Sequence, residues 1–150
     1  MADRRVEIDG VIVTSTPLTQ PFVYSGHLNH IPATIIVSDK STGVSVSKRF
    51  VQRYNQASVG VENVFVANPL GGEVPVTNIL QGSFLTIEEY SDNVDFDVIK
   101  MLDGVDVVLG YNWLVKNNAI INCGSKPPSI TVRKGQKEIT LANNISKMKF

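Results

Sequence analysis

Residues 106–132 read DVVLGYNWLVKNNAIINCGSKPPSITV. The segment Val105–Leu109, apolar at every position but Asp106, predicts a short strand, and Gly110 closes it. A glycine directly after a strand lets a second stretch of backbone come close. Residues 111–118, YNWLVKNN, then predict a short helix with Trp113 and Leu114 together on one side. Two further strands are expected over Ala119–Asn122 and Ile130–Arg133, so this stretch reads as strand, helix and hairpin in sequence.

Outward from that stretch the pattern is short Val/Ile/Phe-rich segments separated by Gly, Pro, Asn and Asp. Such spacing predicts an all-β domain. Strands are expected near Val6–Val13, Phe22–Leu28, Ile31–Val37, Val61–Ala67, Val74–Leu80, Ser83–Glu88, Val94–Ile99 and Glu138–Leu141. Asn29-His30 suits a tight hairpin turn, and Gly135 suits another. Residues 68–75, NPLGGEVP, predict a third hairpin with paired glycines at its tip. Residues 47–55 predict a helix with Ser47 as its N-cap.

The 150 residues fit one domain, and 43% hydrophobic composition suffices for a real core. Lys+Arg and Asp+Glu are both 14, a balance that argues against a broad grip on nucleic acid or an anionic membrane. No apolar run approaches the length of a membrane span. With Cys123 as the one cysteine, no intramolecular disulfide can form. The charged N-terminus, MADRRVEIDG, lacks an apolar secretory core, so an intracellular location, cytoplasmic or nuclear, is expected. Seven acidic residues between Glu88 and Asp106 (Glu88, Glu89, Asp92, Asp95, Asp97, Asp103 and Asp106) read as a solvated face, since they follow no calcium-loop spacing. His27 and His30 flank one hairpin with too few partners for zinc. Neither a metal nor a cofactor is expected. Cys123 reads as a small hydrophobe in an apolar strand.

The Leu109-Gly110 step, the Trp113-Leu114 pair and the strands after them resemble the C-terminal half of the retropepsin domain in gypsy-type LTR retrotransposon polyproteins. The likeness extends upstream through FVYSGHLNHIPATIIVSDKSTGVSVSKRF and covers roughly Phe22 to Leu141, with residues 1–150 taken as a single domain. It implies a closed, retropepsin-like β fold with a short helix after the Leu-Gly strand. It also implies that VFVANPLGGEVPVTNIL is the flap hairpin that closes over substrate in active relatives, with Pro69, Leu70, Gly71 and Gly72 at its tip.

The resemblance further implies a catalytic turn reading Asp-Ser/Thr-Gly-Ala/Ser-Thr. Each of two subunits supplies one Asp, and the paired carboxylates share a proton to work as acid and base. Aligned through the family's apolar-apolar-Ser step, here in VSVSKRF, Ser38 falls on the catalytic Asp, Asp39 on the Ser/Thr and Lys40 on the Gly. Ser41 and Thr42 agree with the pattern, and Leu109-Gly110 is the supporting step. The expectation is a fold that has lost its protease chemistry. The alternative is an active endopeptidase that uses Asp39 in a turn shifted by one residue. A Ser38 nucleophile served by Lys40 would need that lysine buried and its pKa lowered, and a hydroxyl capping a turn beside a solvated lysine is the simpler reading. The family geometry implies a homodimer, with a peptide or protein partner in the former substrate cleft.

Overall fold

The computed structural model describes residues 6–8, 11–13, 22–38, 41, 43–67, 73–101, 104–122, 124, 128–142 and 144–145. Within them lie twelve strands and two short helices. β1 (Val6–Ile8) and β2 (Val11–Val13) pair with each other as an antiparallel hairpin. The next strands are β3 (Val23–Leu28), β4 (Ile31–Val37) and β5 (Val44–Ser47), followed by α1 (Lys48–Arg53). Then come β6 (Val59–Ala67), β7 (Glu73–Ile87), β8 (Tyr90–Ile99) and β9 (Val107–Leu109). The last elements are α2 (Tyr111–Lys116), β10 (Ile120–Asn122), β11 (Ser129–Lys134) and β12 (Lys137–Leu141).

Seven strands form one sheet in the order β3-β4-β9-β5-β8-β7-β6. An additional pairing of β3 with β7 closes it on itself, His27 facing Thr86 and Leu28 facing Leu85. The closure depends on Gly26. A Cβ there would run into the Thr86 carbonyl and stand 2.6 Å from Ile35 Cδ1. Most neighbours pair antiparallel, but β4 runs parallel to β9 and β5 runs parallel to β8.

The short turns follow from residue chemistry. Asn29 and His30 take φ of 51° and 69° to join β3 to β4. Such left-handed pairs match the twist of a two-residue hairpin. Ser47 caps α1, its hydroxyl accepting from Phe50 N–H at 3.4 Å. α1 buries Phe50 and Val51, and α2 buries Trp113 and Leu114.

Several boundaries differ from the sequence reading. Segments 74–80 and 83–88 are one strand, β7, which passes Gly82 through a register irregularity. Gly82 has φ of +57°, and Asp95 accepts its N–H at 2.7 Å, so the glycine is absorbed as a bulge. The reversal instead falls at Glu88, with φ of 54°. β8 starts at Tyr90, four residues before the apolar run that announces it. β5 is a strand where the sequence reads only a step into a helix. Val6–Val13 holds two strands. The flap tip at 68–72 and Cys123 lie outside the described residues.

The main core gathers Tyr24, Leu28, Ile35, Val46, Leu85, Ile87, Phe96, Val107, Leu109 and Trp113 with β11 and β12 residues Ile130, Val132 and Leu141. Trp113 stands edge-on to Tyr90 at 5.4 Å between ring centroids. Its indole N–H donates to the Tyr90 hydroxyl at 3.1 Å. Burial pushes that hydroxyl's pKa up to about 12, with the Trp113 bond pulling the other way. α2 is tied down further by Asn117, whose carbonyl accepts Arg133 N–H at 2.7 Å. Replacing Tyr90 with Phe leaves the buried indole N–H without its acceptor. Tyr90→Phe is expected to lose about 1–3 kcal/mol of stability, read from the midpoint of urea unfolding. An unchanged midpoint would show that the pair contributes nothing.

Candidate functional site

β9 lies between β4 and β5, pairing parallel to one and antiparallel to the other. Val37 and Val44 both face Leu109. The segment that leaves β4 and returns as β5 is therefore a turn slung over the end of β9. Of that turn, Ser38, Ser41 and Gly43 are described, and Asp39, Lys40 and Thr42 lie outside the described residues.

Each end of the turn is fastened to the Leu109-Gly110-Tyr111 step. Ser38 N–H donates to the Leu109 carbonyl at 3.0 Å, which carries the parallel ladder one residue past β4. Tyr111 N–H donates to the Ser41 carbonyl at 2.7 Å. Gly110 sits between these bonds with no room for a side chain. A Cβ there would run into the Gly43 carbonyl and stand 2.5 Å from the Ser41 carbonyl oxygen. The close approach expected of Gly110 from the sequence is thus an observed contact with two backbone carbonyls. The buried indole of Trp113, two residues into α2, holds this corner against the core.

The acidic run from Glu88 to Asp106 does not form one solvated face. Asp106 braces β4, its carboxylate accepting Thr34 N–H at 2.8 Å while its own N–H donates to the Thr34 carbonyl at 3.1 Å. Its carbonyl also accepts Ser47 N–H at 2.8 Å. Asp92 pairs with Lys134 at 3.0 Å and Lys116 at 3.5 Å, joining β8 to β11 and α2. Partial burial works against its charged form, but the two lysines outweigh that and hold its carboxyl below the usual range. Asp97 is half-buried, and its Oδ2 lies 3.6 Å from where a Gly43 Cβ would stand. Burial pushes the Asp97 carboxyl above the usual range. The sequence reading missed Asp97, because its closeness to Gly43 comes only from the β5–β8 pairing. Asp103 lies outside the described residues.

His27 and His30 are exposed, His30 tilting over Phe84 at 5.6 Å. Among the described residues no three His, Cys, Asp or Glu side chains converge on a metal position. Nor is any described helix long and apolar enough to cross a membrane.

The model of one protein family, described as retroviral aspartyl protease, matches residues 11–138. Among solved structures, the retroviral protease-like domain of Ddi1 from Leishmania major matches with a TM-score of 0.54 at 14% identity. The match covers 81% of this chain and 94% of that one. At that identity the likeness speaks for the fold, a closed and mostly β retropepsin-like architecture. No curated protein sequence matches the chain.

The contact at Gly110 makes a direct prediction. Gly110→Ala forces the new methyl into carbonyls that belong to the backbone and cannot rotate away. A loss of about 1–3 kcal/mol or more is expected from such overpacking, measured by thermal or urea unfolding. Wild-type stability in this variant would mean that the turn is not held as described.

Proposed function

The chain belongs to the retroviral aspartyl protease family, and from that premise we propose that it binds and does not cut: a retroelement-derived, self-associating module that takes up an extended peptide or protein segment. The observation that carries this reading is the place of Ser38. Its N–H bond to the Leu109 carbonyl keeps the β4–β9 register intact up to that residue. Ser38 is therefore the first residue of the turn, set beside the Leu109-Gly110 step. The family pattern, aligned through VSVSKRF, calls for the catalytic carboxylate there. A serine cannot share a proton with a partner carboxylate near neutral pH. Lys40, at the position of the family glycine, adds a cation where a substrate backbone would pass.

The same register weighs against an enzyme that uses Asp39 in a shifted turn. A slip of one residue turns side chains to the opposite face. Up to Ser38 there is no slip, so a bulge would have to occur entirely within the next residues.

Retropepsins typically dimerise, because one subunit supplies half a site. We place the two turns of a homodimer across a two-fold axis, each beside a cleft roofed by the β6–β7 hairpin. Binding in that cleft is by strand addition, which needs backbone hydrogen bonds and side-chain pockets but no catalytic group. Two Lys40 side chains near the axis repel unless Asp39 neutralises them, so the interface differs in angle from that of active relatives.

Two experiments test this. The chain, incubated with an unfolded protein at acid and neutral pH, is expected to show no pepstatin-sensitive cleavage. The triple variant Ser38→Asp, Asp39→Ser, Lys40→Gly rebuilds the family motif and is expected to gain cleavage with an acid optimum. Cleavage by the unmutated chain, abolished by Asp39→Asn, would promote the shifted enzyme instead. Sedimentation equilibrium at tens of micromolar is expected to show a dimer; a strict monomer counts against the paired turns.

A further inference from the structure

The closed sheet has a face turned away from the main core. One row of residues crosses it in register: Ile36 on β4, Val108 on β9, Ser45 on β5, Asp97 on β8 and Ile79 on β7. The adjacent row, Ile35, Val107, Val46, Val98, points into the main core, as strand alternation requires. Asp97 is the one ionisable member of its row. It pairs with Ser45 on one side and Ile79 on the other, and its carboxylate oxygen lies 3.6 Å from where a Gly43 Cβ would stand.

Among the described residues, no hydrogen-bond donor or cation partners the Asp97 carboxylate. Nor are its oxygens sealed away, because no buried side-chain oxygen or nitrogen in the described structure lacks a partner. Toward the described residues Asp97 thus offers an acceptor without a partner, from a half-buried, mostly apolar surface beside Gly43. Such a group costs stability when charged and gains when a cation meets it. A metal ion would need more oxygens than this carboxylate and the Ser45 hydroxyl provide. A lysine or arginine side chain needs only one carboxylate, and its methylene stem suits flanking apolar residues such as Val108 and Ile79.

We propose that Asp97 is a specificity residue on this face, selecting an extended peptide that places a lysine or arginine side chain beside the turn at Gly43. This rests on the peptide-binding reading above. The sign of the carboxyl shift agrees with it. A carboxyl whose folded pKa is raised binds its proton more tightly folded than unfolded. Its contribution is favourable below the unfolded value and is lost as pH rises through the folded one. Keeping Asp97 ionised at neutral pH therefore works against the fold, and recognition of a cation offsets that cost.

The test uses the full chain and four pools of random decapeptides, each with one position fixed as Arg, Lys, Leu or Glu. Fluorescence anisotropy reads binding. The Arg and Lys pools are expected to bind about tenfold more tightly than the Leu pool, the effect of one charge-assisted contact. Asp97→Asn is expected to bring them level with Leu, and Asp97→Lys to favour Glu. In parallel, Asp97→Asn is expected to raise the urea midpoint at neutral pH, a gain that vanishes below the unfolded carboxyl's pKa. Equal binding of all pools by the unmutated chain would overturn the role of Asp97 and leave peptide binding standing. A basic preference that survives in Asp97→Asn would overturn it too. No binding of any pool would overturn the peptide-binding reading itself, and this proposal with it. A lower midpoint in Asp97→Asn would assign the carboxylate to the fold and not to recognition.

Discussion

Everything near the candidate site hangs on β9 threading between β4 and β5. Three residues, Val107–Leu109, complete the ladder on both sides. Without them the closed sheet would open between β4 and β5, leaving β3 and β4 joined to the other strands only through the short β3–β7 pairing. The threading also fixes the turn, since a chain that leaves one side of β9 and returns on the other must cross its end. Gly110 stands at that crossing because only a residue without a side chain lets the Gly43 and Ser41 carbonyls come so near. Trp113 and Tyr90 then hold the crossing from the core side, and Asp106 clamps the opening of β9 to β4.

This brace works through backbone atoms. The bonds Ser38 N–H to Leu109 and Tyr111 N–H to Ser41 are blind to which side chains the turn carries. Scaffold and chemistry are therefore separable in this fold. A turn can exchange its carboxylate for a hydroxyl and its glycine for a lysine while both anchors persist. That separation is the physical basis for reading the chain as a binding member of a protease family. A sheet edge or cleft that held a substrate in extended form still presents backbone donors and acceptors after the acid and base are gone.

Local chemistry was legible in the sequence, and long-range pairing was not. Leu109-Gly110, Trp113-Leu114, the Asn29-His30 turn, the Ser47 cap and Gly135 with φ of +64° each follow from residue type and immediate neighbours. β5 did not stand out, because four residues leading into a helix carry too short an alternation. β7 looked interrupted, because Gly82 resembles a turn until Asp95 on the facing strand is seen to hold the bulge. The start of β8 was hidden by Asp92, Asn93 and Asp95, which belong equally well to a loop. The acidic run is the sharpest case. As a string it reads as solvated charge; in space Asp106 is a brace, Asp92 a hub for two lysines and Asp97 a neighbour of the turn. Each of those roles is defined by a partner far along the chain.

The central claim is that no carboxylate of this chain works as one half of a proton-sharing pair. The carboxyl carbon of Asp39, labelled and followed by NMR through the acid range in the associated protein, tests it most directly. The account predicts one simple titration step, unchanged by pepstatin. Two well-separated steps, the mark of two carboxylates sharing one proton, moved by pepstatin, would contradict it.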